Sequence, residues 1–122
     1  MSTLLWILVA LQFKHWYIDF VNQSPEEVHG KGIYGNWTGI QHSLKHGIAT
    51  MSIMPFFFGV EAGLVFGFVL GLVDFVTHYH IDWAKMNWGN RDIQTPAFWA
   101  HLGLDQMAHQ LVYLVIIGLI IL

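Results

Sequence analysis

Four long apolar stretches dominate the chain, each interrupted by polar residues that recur at a helical interval. They run from about Thr3 to Gln23, Thr38 to Phe58, Val60 to Lys85 and Pro96 to Leu122. Each approaches the roughly 20 mostly apolar residues that a helix needs to cross a bilayer. The connections are unequal. Ser24-Pro25-Glu26-Glu27 is a helix-start signal, because Ser24 can cap the next turn, Pro25 suits a first helical position and Glu27 can bond back. A glycine-spaced stretch from Gly30 to Asn36 follows, and a short interfacial turn is expected there. Pro55 and Gly59 bracket three phenylalanines in a tight turn, while Met86 to Thr95 forms a polar loop that Pro96 ends. Short links make sequential helices antiparallel neighbours. The pattern predicts an all-α, transmembrane up-down four-helix bundle, one domain over residues 1–122.

The polar interruptions are not scattered. Residues four apart share a helix face, so their side chains can grip one ion together. The first stretch offers His15 and Asp19, and the second offers His42 and His46. The third offers His78 and Asp82, with Asp74 a turn away, and the fourth offers Asp105 and His109, with His101 a turn earlier. Sixteen His, Asp and Glu residues placed at random in this length would give roughly two such pairs. The chain has six. In an up-down bundle all four sets also fall on one side of the membrane, the first three on the order of 6–12 Å inside its boundary.

Composition sharpens the picture. Hydrophobic residues make up 55% of the chain and charged residues 11%, against roughly 25% charged in a soluble domain. Lipid is the expected solvent. Met1-Ser2-Thr3 carries no positive charge ahead of the first apolar run and no small-residue cleavage site follows it, so that run is expected to be a retained helix. Lys31, Lys85 and Arg91 lie in or beside the longer connections, which charge counting places in the cytoplasm. With no cysteine, thiolate metal sites and disulfides are excluded, and a net charge of −3 gives no support for nucleic-acid binding. Membrane lipids are the expected partners. Gly59, Gly63, Gly67 and Gly71 form a smooth stripe for close packing, within the bundle or in a homo-oligomer or larger complex.

Histidine and aspartate at this depth need partners, because each ionisable group costs at least a few kcal/mol in the membrane interior. Hydrogen-bonded packing is the plain reading of any one of them. Taken together, His15, Asp19, His42, His46, His78, Asp82, Asp105 and His109 form a donor set suited to one or two divalent ions. Nitrogen and oxygen donors without sulfur suit zinc, iron or manganese. Asp74, Gln23, Gln106 and His101 are placed to hold those ligands by hydrogen bonds. Lys14 and Lys45 adjoin them, either pairing with Asp74 and reaching toward headgroups, or forming an anion site for a lipid phosphate.

Four motifs in order carry a resemblance: His15-x-x-x-Asp19-Phe20-x-x-Gln23, His42-x-x-x-His46, Thr77-His78-x-x-Ile81-Asp82-x-x-Lys85 and Asp105-Gln106-x-x-His109. They resemble a small integral membrane family of bacteria and tailed phages whose shared domain has no assigned function. That resemblance implies a multi-pass protein of the bacterial inner (cytoplasmic) membrane. More distantly, the His-x-x-x-Asp pattern is similar to membrane proteins labelled metal-dependent hydrolases. Three functions stand open: a metal-dependent hydrolase of a lipid or lipid-linked substrate, a metal-stabilised accessory subunit without catalysis, and an ion transporter or haem carrier.

Overall fold

The computed structural model describes residues 2–122, and its regular elements are all helical. α1 spans Thr3–Trp16 and runs into a π-helical turn, Tyr17–Val21. α2 spans Pro25–Lys31, α3 Trp37–Ile53, α4 Pro55–Phe58, α5 Val60–Trp88 and α6 Pro96–Ile121. Three helical stretches are long and apolar enough to cross a membrane: Thr3–Val21, Val60–Trp88 and Pro96–Ile121.

The expected second segment is divided in two. The segment from Thr38 to Phe58 is not one apolar helix. α3 is 17 residues long and carries His42, Ser43, His46 and Thr50 on its buried side. Pro55, which lacks an N–H for the preceding turn, separates it from the short α4. α3 therefore turns a polar face inward, packed most extensively against α5, and leaves Trp37, Leu44 and Ile48 exposed on its other side.

Ser24 does start a helix. Its hydroxyl accepts from the Glu27 N–H at 3.2 Å, and the Glu27 carboxylate accepts from the Ser24 N–H at 2.9 Å. α2 then lies directly on α3. A Cβ added to Gly39 would sit 2.7 Å from the Gly30 carbonyl oxygen, so only glycine permits this approach. The connection between α2 and α3 packs on the last turns of α5, where Asn87 Nδ2 donates to the Gly32 carbonyl and the Tyr79 hydroxyl accepts from the Gly35 N–H.

The glycine stripe works within the chain. A Cβ on Gly67 would lie 2.6 Å from the Met51 carbonyl oxygen, and one on Gly71 would lie 2.6 Å from that of Gly47. Gly59 is the exception: with φ at 76° it turns the backbone between α4 and α5 and touches nothing. Away from the polar end, Ile7, Leu11, Met54, Leu70, Tyr113 and Ile116 close the core. Outward faces carry large exposed apolar side chains such as Phe13, Val65, Phe68, Leu104 and Val115, as lipid contact requires.

Candidate metal centre

The same four-residue interval builds the site on each helix. α3 supplies His42, His46 and Thr50; α5 supplies Asp74, His78 and Asp82; α6 supplies Asp105, His109 and Tyr113. α1 and its extension supply Lys14, His15, Ile18 and Asp19, with His15 Nε2 3.3 Å from Asp19 Oδ2 across one turn. A π-helical turn runs from Tyr17 to Val21, marked by the Asn22 N–H bonding the Tyr17 carbonyl five residues back. Such bulges concentrate at functional sites.

These side chains stack in layers. Deepest, Lys14 pairs with Asp74, whose carboxylate also accepts from the Thr50 hydroxyl. The next layer is four imidazoles. Ring centroids of His46 and His78 are 3.6 Å apart, those of His78 and His109 are 4.1 Å apart, and His15 lies 4.9 Å from His109 and 5.6 Å from His46. Above them sit His42 and the carboxylates of Asp19, Asp82 and Asp105. All eight residues are buried, His42 and His46 completely.

Donor atoms converge in overlapping groups. Asp19 Oδ1 has His42 Nε2 at 2.9 Å, His46 Nε2 at 3.0 Å and His78 Nε2 at 3.4 Å. Tetrahedral coordination with bonds of 2.0–2.1 Å separates donors by roughly 3.3 Å; these three distances lie near it, and all four donor atoms lie within 4.8 Å of one another. A second group joins Asp82, Asp105 and His109, with His109 Nε2 at 3.5 Å from Asp82 Oδ1 and 3.6 Å from Asp105 Oδ1. A third joins His15, His78 and His109. Each group could hold a metal ion.

Hydrogen bonding separates these atoms. Among the described residues, His78 Nε2, His109 Nε2 and Asp105 Oδ1 are buried without a hydrogen-bond partner, while Asp82 Oδ2 faces the Lys31 ammonium at 3.0 Å. Orphaned buried polar atoms are costly and rare, and here they point into shared space. A cation satisfies them together. His15 differs, because both of its ring nitrogens are engaged. Gln106 donates its amide N–H to Asp105 Oδ2 and so turns its carbonyl oxygen toward His15 Nε2, 2.9 Å away. That oxygen accepts the Nε2 proton, leaving His15 Nδ1 to accept from the Tyr113 hydroxyl at 3.0 Å.

The supporting residues divide. Gln106 bridges His15 and Asp105. Gln23 donates to the Asp19 carbonyl and steadies the π-helical turn. Lys14 is held by Asp74 and lies 3.3 Å from His46 Nδ1, below the donor groups. Lys45 reaches away, to Glu27 at 2.6 Å and the Asn22 carbonyl at 3.2 Å. His101 is not brought to the donor groups: its Nδ1 accepts from the Asn90 N–H and closes the α5–α6 loop.

Three contributors are not evident from the sequence alone. Tyr113 and Thr50 each lie four residues beyond a site histidine, so extending the interval by one turn would have found them. Lys31, at the end of α2, places its ammonium 3.0 Å from Asp82 Oδ2 and 3.9 Å from Asp19 Oδ1. It carries no spacing signal, because its position depends on how α2 docks onto α3.

Fold and site together define a multi-pass helical membrane protein with clustered, buried His and Asp residues able to coordinate metal. The chain belongs to the family described as Protein of unknown function (DUF3307), whose model matches residues 7–122. No curated protein and no solved structure matches it.

Proposed function

We propose that the chain is a transmembrane metalloprotein of the bacterial inner membrane, folded as one domain, that hydrolyses an ester in a lipid or lipid-linked substrate at a two-ion centre. The supporting observation is the convergence of buried donors, with His78 Nε2, His109 Nε2 and Asp105 Oδ1 left without a hydrogen-bond partner, in overlapping groups that could each hold an ion. Asp19, His42, His46 and His78 would hold one divalent ion in a closed site, and Asp82, Asp105 and His109 a second with a position left open. Zinc, iron and manganese all suit these donors. Bound there, such ions polarise an ester oxygen and supply hydroxide at neutral pH.

The chain's own groups do the rest. His15, carrying its proton on Nε2 and braced by Gln106 and Tyr113, is placed to pass a proton to a departing alcohol. In hydrolysis, water's oxygen joins the ester centre, the alcohol oxygen leaves, and one proton moves between them. The apolar core of Leu11, Met54, Leu70 and Ile116 closes the far side against water.

A second reading, a metal-stabilised accessory subunit, is favoured by the complete four-donor set around Asp19. The same closed core argues against an ion pathway. Imidazoles stacked at 3.6 Å and 4.1 Å leave no slot for a haem. The deciding experiment offers phosphate- and acyl-ester lipids in mixed micelles to metal-loaded protein, with and without chelator. Chelator-sensitive hydrolysis of either class is expected. Fully metal-loaded protein that turns over neither would overturn catalysis and leave the accessory reading.

A further inference from the structure

A cavity of about 300 Å³ opens between α5 and α6 and reaches the candidate centre from the side. Its walls are apolar, formed by Ile81, Trp88, Leu104 and Ala108, and its lining also includes Lys85 and Asp105. Leu104 and Trp88 are exposed on the outer surface, so the groove faces the surroundings of the bundle. Asp105 is buried, and its Oδ1 is one of the orphaned donors. Lys85 Nζ stands 3.9 Å from Asp105 Oδ2. The groove thus joins an apolar surface to the three-donor group with an ammonium alongside.

Charge then selects the occupant. Asp19, Asp82 and Asp105 bring three negative charges, while Lys31 and Lys85 bring two positive ones. Lys14 and Asp74 cancel each other. With neutral imidazoles, one divalent ion leaves this cluster with a surplus of one positive charge, and a second raises the surplus to three. Positive charge uncompensated in a low-dielectric interior is costly. A neutral acyl ester would leave it uncompensated; a phosphate would not.

We propose that the groove admits a phospholipid, its phosphate bound by Lys85 at the three-donor group that Asp105 shares with Asp82 and His109, and its glycerol and first chain carbons along Ile81, Trp88 and Leu104. This rests on the metal-centre reading and narrows its substrate to lipids with a phosphate head.

The test is a binding titration of the full chain in detergent, with metal content measured on the same preparation. The probes are a short-chain phosphatidate, the matching diacylglycerol and glycerol phosphate. Phosphatidate is expected to bind about tenfold or more tightly than either of the others. Lys85→Gln should weaken it by about tenfold, the scale of a hydrogen bond to a charged group, with metal content unchanged. Leu104→Trp, which fills the groove from its outer wall, should weaken phosphatidate binding and spare glycerol phosphate. Equal binding of phosphatidate and diacylglycerol, or unaltered affinity in Lys85→Gln, at full metal content, overturns the phosphate assignment while the metal centre stands. Glycerol phosphate binding as tightly as phosphatidate overturns the lipid source. Protein that takes up no metal overturns both the assignment and the reading beneath it.

Discussion

The two ends of this bundle bury different material in the same kind of scaffold. At one end α1, α3, α5 and α6 enclose imidazoles, carboxylates and two lysines; at the other they enclose Ile7, Leu11, Met54, Leu70 and Ile116. Both interiors are closed, yet the reasons differ. The apolar end is held by shape, above all by backbones brought together at Gly47, Gly67 and Gly71. The polar end is held by pairing, and its pairing is incomplete as long as only protein groups are counted. Lipid gives apolar side chains little reason to prefer the interior, so close packing carries the first end and charge satisfaction the second. Incomplete pairing at an otherwise well-packed end is the mark of a site built for something else to bind.

Breaking the pairing should cost most. Lys14→Met leaves Asp74 buried with only Thr50 as partner, and a loss of about 3–5 kcal/mol is expected from detergent unfolding. Adding Asp74→Leu should recover much of it, because both charges are then gone. If the single variant is as stable as the parent protein, the Lys14–Asp74 pair does not hold the layer below the imidazoles.

Breaking the packing should cost less. Gly67→Leu forces a side chain against the Met51 carbonyl and should cost about 1–3 kcal/mol, typical of overpacking. Metal content per folded molecule should hold, since Gly67 lies at the apolar end. Tyr113→Phe sits at the junction of the two ends. It removes one hydrogen bond from His15 and should cost about 1 kcal/mol, with hydrolysis reduced more than metal content.

The smallest effect is expected at the α2 cap. Burial raises the Glu27 pKa, but the Lys45 ammonium and the Ser24 N–H outweigh it and hold the carboxyl below the ordinary glutamate range. A depressed carboxylate contributes stability above its unfolded value, about 4.3, and loses it as pH falls through the lower folded value. Protection of the α2 amides against hydrogen exchange, taken relative to their intrinsic rates, should therefore be flat from neutral pH down to that region and fall below it. Glu27→Gln should lower that protection at neutral pH.

Much of this was legible because helices announce their inner faces. The spacing His42-x-x-x-His46, His78-x-x-x-Asp82 and Asp105-x-x-x-His109 fixes a face by local geometry alone, and those residues do converge. His15 and Asp19 meet across the same interval, 3.3 Å apart, and only the π-helical turn that begins at Tyr17 lies outside a four-residue rule. The break at Pro55 that divides α3 from α4 reads from the sequence only as a turn after the helix, and the polar residues of α3 are what the bundle buries. Lys31, and the groove between α5 and α6, arise from how separate elements dock, which spacing along one helix does not encode. His101 shares the α6 interval yet serves the loop, because Asn90 reaches it first.

The most direct test is the metal itself. Protein purified without chelator should carry about one to two ions per chain by elemental analysis, with X-ray absorption showing nitrogen and oxygen neighbours at about 2.0–2.2 Å. His78→Ala combined with Asp105→Ala should abolish that content in protein that remains helical. Fewer than about 0.1 ion per chain in the unaltered protein, after incubation with zinc, iron(II) and manganese in turn, would contradict the account.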